Sequence, residues 1–218
     1  RAYRSLLQLL KTVPVFGLAV VARWAALAGS PFPIGVDGYY YAVQVRELVE
    51  HGRLAIAAEP LAFWIMAPLA AITDPIVGAK LGAAIGGALV AVPAYGLGRR
   101  LGKGDAAGFV AAAIAATSAG SMYLSMEFVK QGVGITVALG AIWLALRAID
   151  RPTRGRIGAA VVGAAVAVLA HKLAIAIGVA IGVPAVVAGA RARGGLRGRR
   201  VRDAAIGAAA VVAVAVAI

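Results

Sequence analysis

The 218-residue sequence contains no cysteine, few aromatic residues (6%) and only nine acidic residues. Without cysteine, the chain has no thiol nucleophile, no disulfide and no cysteine-ligated zinc site. Charged residues make up 14% of the sequence and hydrophobic residues 62%, against about 25% and 45–50% in soluble domains. This composition excludes a water-soluble globular enzyme, a disordered chain and a disulfide scaffold, and it indicates an integral membrane protein.

Apolar runs divide the sequence into seven candidate membrane helices, each of which needs about 20 apolar residues. They occupy 12–29, 75–98, 105–122, 131–149, 157–170, 173–190 and 204–218. The stretch 157–190 is too long for one span, and His171-Lys172 at its centre predicts a turn between two short helices. We therefore expect an all-α polytopic fold in which 1–218 form a single transmembrane domain, the N-terminal module of a longer chain.

The basic residues occupy the N-terminus and every second connection between these runs. They are Arg1, Arg4 and Lys11; Arg99, Arg100 and Lys103; Arg147, Arg151, Arg154 and Arg156; and six arginines from Arg191 to Arg202. Short loops rich in Lys and Arg stay cytoplasmic, so the N-terminus is predicted to lie on the cytoplasmic side of a prokaryotic-type plasma membrane. The net charge of +13 then reports orientation and contact with membrane lipids, not nucleic-acid binding, because no aromatic residues interleave with the arginines.

Most acidic residues fall on the opposite, extracytoplasmic side. They are Asp37, Glu47, Glu50, Glu59, Asp74 and Glu127, whereas Asp105, Asp150 and Asp203 are predicted inside. The only long polar connection, 30–74, forms the first extracytoplasmic loop and is the place where chemistry is expected.

Within this loop the spacing of apolar residues predicts an amphipathic helix in the membrane interface. Its apolar face is Tyr41, Val45, Leu48 and Val49, and its polar face is Gln44, Glu47 and His51. Asp37 stands where a helix N-cap is expected and Gly52 where the helix should end. A second interfacial helix is expected between Pro60 and Pro68.

Small residues mark packing faces on the second predicted span. Gly78, Gly82 and Gly86 recur at a spacing of four, which allows helix backbones to approach closely in membranes. This pattern is a packing signal and carries no specific function.

Several ionisable residues have both a structural and a functional interpretation. Asp37 is either a helix N-cap or a carboxylate acting as general base or metal ligand. Arg23, inside the first span, either extends to the interface or pairs with an acid of the outer loop. Glu127 either pairs with Lys130 one turn later or faces Asp37 across an outer cavity. His171 is a hydrogen-bonded interface residue or a ligand.

The sequence resembles the start of the GT-C membrane glycosyltransferases, which include oligosaccharyltransferase catalytic subunits, protein mannosyltransferases and aminoarabinose transferases. The resemblance rests on a span that carries Arg23, a short outer loop reading Asp37-Gly38-Tyr39-Tyr40-Tyr41, and a helix that carries Arg46 and ends in Glu50-His51-Gly52. The segment Leu97-Gly98-Arg99-Arg100-Leu101-Gly102 is also similar to bacterial and archaeal members. The resemblance implies a seven-helix module that uses a polyprenyl-phosphate-linked sugar donor at its outer face.

The resemblance also implies roles for individual residues. Asp37 would be the catalytic or metal-binding carboxylate and Glu127 its partner, with Mg²⁺ or Mn²⁺ as a candidate cofactor. Oligosaccharyltransferases carry two acids in the second outer loop, whereas Met126-Glu127-Phe128 has one. The residues expected to contact the donor or its phosphate are Lys130, Arg46, His171, Lys172 and Tyr40.

Two other classes of function stay open at this point. A noncatalytic scaffold subunit of a larger membrane complex would use the glycine-rich packing faces and need no paired acids. A transporter is less well supported, because ion-coupled transport usually needs ionisable groups near the membrane midplane. Catalysis predicts that Asp37 and Glu127 lie at one outer cavity, and a scaffold predicts that each is used locally.

Overall fold

The computed structural model describes residues 10–33 and 35–192, and this part of the chain is helical without strands. The helices are α1 (Val13–Ala28), α2 (Gly38–His51), α3 (Leu61–Ile72), α4 (Pro75–Ala88), α5 (Ala91–Leu101), α6 (Asp105–Thr117), α7 (Ala119–Glu127), α8 (Val129–Asp150), α9 (Arg154–Ala170), α10 (Lys172–Ile177) and α11 (Val183–Arg191), with a π-helical turn at Gly178–Gly182. The predicted all-α class is confirmed.

Within the described residues, three helical segments are long and apolar enough to cross a membrane: Pro75–Leu101, Val129–Asp150 and Lys172–Gly189. The pair α6 and α7, bent by 44° around Ser118, makes a fourth if it is counted as one span. Helices α1 and α9 have 16 and 17 residues, and the predicted run 204–218 lies outside the described residues. The structure thus supports three to four of the seven predicted spans.

Local sequence sets where several of these helices begin. The Asp74 carboxylate accepts hydrogen bonds from the amides of Ile76 (2.8 Å) and Val77 (2.9 Å), and Pro75 follows as the first helical residue of α4. Proline suits that position because its missing N–H would have no helical partner there. The side chains of Ser118, Thr153 and His171 cap α7, α9 and α10 in the same way.

The chain reverses at His171, as its sequence predicts. Gly163, in the middle of α9, lies against Leu144 and Ala141 of α8. His171, just after α9, lies against Gly134, near the start of α8. Further along the chain, Gly182 lies against Ile142. Helix α9 therefore runs antiparallel to α8, and the segment that follows His171 returns parallel to it.

Glycine contacts hold α3 against α4. A Cβ atom at Gly78 would overlap the backbone of Ala70, and one at Gly82 would overlap Met66. Phe63 and Met66 are fully buried on this face of α3. The predicted packing role of these glycines is confirmed, and α3 packs into the bundle with one face where the sequence predicted an interfacial helix.

Helix α2 forms where it is predicted and ends at Gly52 in the left-handed conformation (φ 69°). Tyr41 and Val45 are buried as expected, but Gln44, assigned to the polar face, has no exposed surface. Its side chain bonds both the N–H (2.9 Å) and the C=O (2.7 Å) of Ile56. A buried amide is stable there because the backbone after the helix satisfies its donor and acceptor.

Charges separate to the two ends of the bundle. At the basic end, Lys11 and Arg99 both contact Asp105, and Arg100 pairs with Asp150 at 2.8 Å. The opposite, acidic end contains α2, the end of α7 and the adjoining connections, which carry the six acids predicted to be extracytoplasmic. Lys11 and the basic clusters Arg99–Lys103 and Arg147–Arg156 thus share one end, as the sequence predicts.

Candidate active site

Asp37 lies at the acidic end, directly before α2, in the N-cap position. Its side chain makes no capping hydrogen bond, and in the described residues it has neither a hydrogen-bond nor an ion-pair partner. The residue is half-buried. The N-cap interpretation therefore accounts for its position but not for its carboxylate, which the fold leaves available.

Glu127 fixes the loop that carries Asp37. Its Oε2 atom accepts a hydrogen bond from the Val36 N–H at 2.8 Å. The preceding Gly35 has a φ of +88°, and a Cβ there would overlap the Met126 carbonyl oxygen, so only glycine allows this close approach. The end of α7 and the start of α2 are thereby held together, and the predicted partner of Asp37 lies beside its loop.

Tyr41 connects α2 with α8. Its side chain is 3% exposed, and its hydroxyl oxygen accepts a hydrogen bond from the Lys130 backbone N–H at 3.2 Å. Burial raises the pKa of Tyr41 to about 12, and the charge of Asp37 acts in the same direction. The phenol therefore stays protonated next to the Asp37 carboxylate at neutral pH.

Lys130 is placed between a carboxylate and an aromatic ring. Its Nζ lies 3.6 Å from Glu59 Oε2 and 5.3 Å from the centre of the Tyr40 ring. The Lys130 side chain is only 16% exposed, which strengthens both interactions. The one-turn pair of Lys130 with Glu127 is wrong as an interpretation, because the described ion pair of Lys130 is with Glu59.

Glu59 is the site residue that the sequence analysis missed. Burial raises its pKa, but backbone hydrogen bonding and the positive charges of Lys130 and His171 outweigh that effect, so the net pKa lies below the usual value. Its signal in the sequence was a single acid directly before the apolar segment that starts at Pro60. Its pairing with Lys130 spans about 70 residues and has no local signature.

His171 completes this polar cluster at the N-terminus of α10. Its Nδ1 accepts the Leu173 N–H at 3.0 Å. Burial lowers the pKa of His171, and the charges of Lys130 and Lys172 lower it further against the opposing effect of Glu59. His171 is thus a capping residue that also interacts electrostatically with the Lys130–Glu59 pair.

The other predicted contact residues are less closely integrated. Arg46 is exposed on α2, and no described residue forms an ion pair with it. Lys172 is exposed at the start of α10. Tyr40 bonds the Gln44 amide at 3.2 Å and meets Tyr41 edge to face. The structure therefore groups Asp37, Glu127, Tyr40, Lys130 and His171, and leaves Arg46 and Lys172 at the periphery.

A small cavity lies beneath α2, lined among others by Tyr41, Lys80 and Ser125. Its volume of about 20 Å³ has room for water but not for a sugar. Lys80 is buried at its edge and donates to the Ser30 carbonyl oxygen at 2.5 Å.

Arg23 is 1% exposed and lies in the bundle interior. It donates to the hydroxyls of Ser121 (2.6 Å) and Ser125 (2.9 Å) and to the Ala19 carbonyl (3.2 Å). Neither sequence interpretation, extension to the interface or an ion pair with an outer acid, describes this arrangement. Hydroxyls and a carbonyl solvate the guanidinium instead.

The described residues contain no cluster of three or more Asp, Glu or His side chains. Asp37 and the second oxygen of Glu127 remain as candidate donors. Mg²⁺ is often held by one or two carboxylates together with waters and substrate phosphates. These two carboxylates alone would not form a closed protein cage for a cation.

Long apolar helices with ionisable side chains gathered at the two ends define an integral membrane protein with a polar site at one surface. Residues 57–218 match the family of dolichyl-phosphate-mannose-protein mannosyltransferases. The chain belongs to this family, and it is a membrane glycosyltransferase of the GT-C type, which confirms the resemblance seen in the sequence. The match begins after α2 and does not include Asp37.

No curated protein and no solved structure matches the chain.

Proposed function

We propose that this protein transfers a sugar from a polyprenyl-phosphate-linked donor to an acceptor on the extracytoplasmic side of the membrane. The acceptor nucleophile would attack the anomeric carbon, the bond from that carbon to the phosphate oxygen would break, and polyprenyl phosphate would leave. The proton of the acceptor would pass to Asp37. The observation that carries this proposal is the half-buried Asp37 carboxylate, which no described residue engages.

Positive charge for the leaving phosphate would come from Lys130. His171 lies beside it, and its lowered pKa favours the neutral imidazole. Stabilising charge that develops in the transition state is commonly the largest catalytic contribution. Lys130 is pre-positioned by Glu59 and the Tyr40 ring, so its ammonium needs little reorganisation. If a divalent cation takes part, Asp37 and Glu127 would hold it, and it would supply further positive charge to the phosphate.

Glu127 acts first as a positioning residue in this proposal. The hydrogen bond from Val36 to its carboxylate sets the path of the loop just before Asp37. A scaffold function would predict that the carboxylate of each acid is bound by neighbouring groups of the protein. Glu127 fits that description, and Asp37 does not.

The proposed fold keeps seven spans. Helices α1 and α9 are shorter than the usual 20 residues, and a bilayer can thin locally around short helices at modest cost. The run 204–218, which the sequence predicts as the seventh span, lies outside the described residues.

Replacing Asp37 by Asn tests the catalytic assignment. Loss of a general base typically costs 10²–10⁴-fold in rate, so we expect Asp37→Asn to lower sugar transfer by about 10²-fold or more, with an unchanged melting temperature. The assay follows transfer from a polyprenyl-phosphate sugar in membranes. Glu50→Gln, an exposed acid on the same helix, is the matched control and should remain active. Full activity of Asp37→Asn would refute the proposal.

The Glu127 position distinguishes loop anchoring from chemistry in the same assay. Glu127→Gln keeps an oxygen for the Val36 N–H and removes the charge, whereas Glu127→Ala removes both. Anchoring predicts that Gln retains most of the activity and Ala loses it. Equal loss in both variants would instead assign Glu127 to the reaction or to a metal.

A further inference from the structure

A second cavity, of about 310 Å³, opens between α5 and α8 at the basic end of the bundle. Its charged lining consists of Arg99, Arg100, Lys103, Arg147 and Asp150. The polar cluster around Asp37 lies at the opposite end of the bundle. The proposed sugar transfer uses none of the residues that line this cavity.

The floor of the cavity is built by an aromatic residue seated on a glycine. A Cβ atom at Gly96 would overlap the Trp143 indole, so the glycine lets the ring lie against α5. The Arg147 guanidinium then stacks over this ring at 4.9 Å. The stacking holds Arg147 at the cavity wall, where a planar cation is pre-organised for a phosphate.

The acids near the cavity do not balance its cations. Asp150 pairs with Arg100 through two hydrogen bonds of 2.8 and 3.1 Å. The Asp105 carboxylate is shared by Arg99 and Lys11. In the described part of the chain, Lys103 and Arg147 form no ion pair.

A further cation adds to this excess. Arg156, which does not line the cavity, donates to the Arg147 backbone carbonyl at 3.3 Å and so adds a guanidinium close by. A partly enclosed site with net positive charge attracts anions.

We propose that this cavity binds the phosphate of an anionic phospholipid headgroup, with Lys103 and Arg147 as its principal ligands. The cavity lies at the ends of membrane-crossing helices, where headgroups are located. Basic pockets between such helices on the cytoplasmic side are a known setting for anionic lipids, and the distribution of Lys and Arg predicts this end to be cytoplasmic. The lipid would bridge α5 and α8 by neutralising both.

Lipid retention measured by native mass spectrometry tests the assignment on the full chain in neutral detergent. The probes are phosphatidylglycerol and phosphatidylcholine with identical acyl chains. The wild type should retain phosphatidylglycerol preferentially. Lys103→Gln and Arg147→Gln should each weaken its binding about fivefold, the contribution of one basic side chain near an anionic headgroup.

Arg154→Gln is the matched control, since Arg154 is exposed at the same end but does not line the cavity. It should bind phosphatidylglycerol like the wild type. Equal retention of the two lipids, or an equal loss in Arg154→Gln, would overturn the proposal. Lys103 lies on an exposed turn, so its variant decides the outcome if Arg147→Gln does not fold.

Inorganic phosphate distinguishes a lipid site from a site for a soluble phosphate compound. A headgroup site predicts that phosphate at the concentration of the lipid leaves bound phosphatidylglycerol in place. Displacement at equal concentration would show that the cavity takes a free phosphate, and the assignment to lipid would be wrong.

Discussion

Asp37 and Arg23 differ in how far the surrounding residues bind their charged side chains. The Arg23 guanidinium is removed from water and surrounded by two serine hydroxyls and a carbonyl oxygen. The Asp37 carboxylate keeps partial access to solvent and has no described partner. A charged group that a fold leaves unengaged in a fixed position costs little to bring into contact with a substrate. Asp37 is therefore the better candidate for chemistry.

His171 makes the stability of the protein depend on pH. Its pKa in the folded protein lies below the value of 6.5 in the unfolded chain. As the pH falls towards these two pKa values, the unfolded chain binds a proton more readily than the folded protein, so the folded state loses stability. We expect the melting temperature to decrease between about pH 7 and pH 5, the range in which histidine titrates.

The variant His171→Asn should reduce this decrease, because Asn can still cap α10 but does not titrate. Thermal unfolding followed by tryptophan fluorescence measures the effect. His51→Asn, which removes the other histidine, an exposed one that contacts Glu47, is the matched control. An unchanged slope in His171→Asn would show that other groups cause it.

Among single residues, the sequence predicted Asp37, Glu127, Lys130, His171 and Tyr40 as site candidates. In the structure, all five lie at the acidic end of the bundle. The sequence could not show which of them pair. Glu59 and Lys130 meet only after α3 and α8 are packed, and Gln44 is buried only because Ile56 folds back over it. Such contacts depend on tertiary structure and leave no local pattern.

Among the helices, the contact of α3 with α4 depends on the absence of side chains at two positions. We expect Gly78→Ala to destabilise the protein by about 1–3 kcal/mol, the usual cost of overpacking, because the new methyl group would overlap the Ala70 backbone. Gly140→Ala on α8 meets open space and should be neutral or stabilising by up to about 1 kcal/mol. Unfolding in a graded denaturing detergent compares them. Equal stability of the two variants would show that the interface is looser than described.

Apolar periodicity and run length predicted the positions of most helices, including the reversal at His171 and the end of α2 at Gly52. They did not predict the break of 44° around Ser118. The apolar character of the run 105–122 is continuous, so it carries no signal for a bend that is set by the Ser118 cap and by packing. The sequence did not predict how deeply α3 is buried in the bundle for a similar reason. The same apolar residues can face either lipid or protein, so the sequence does not distinguish the two positions.

For the molecule as a whole, the separation of charge predicts a definite orientation. The natural absence of cysteine makes single-cysteine labelling direct. In intact cells, a membrane-impermeant maleimide should label Glu50→Cys and not Arg154→Cys, and both should react after lysis. The reverse pattern would invert the topology and place the Asp37 cluster in the cytoplasm. Both positions are exposed, so a difference in labelling reports sidedness and not burial.

The hydrogen bonds of Arg23 also bear on how the protein is made. An arginine at the centre of a membrane helix costs about 2.5–3.5 kcal/mol during insertion. Its serine partners lie 98 and 102 residues later, so during synthesis α1 reaches the bilayer long before they do. We therefore expect α1 to reach its final position only after α7 has been inserted.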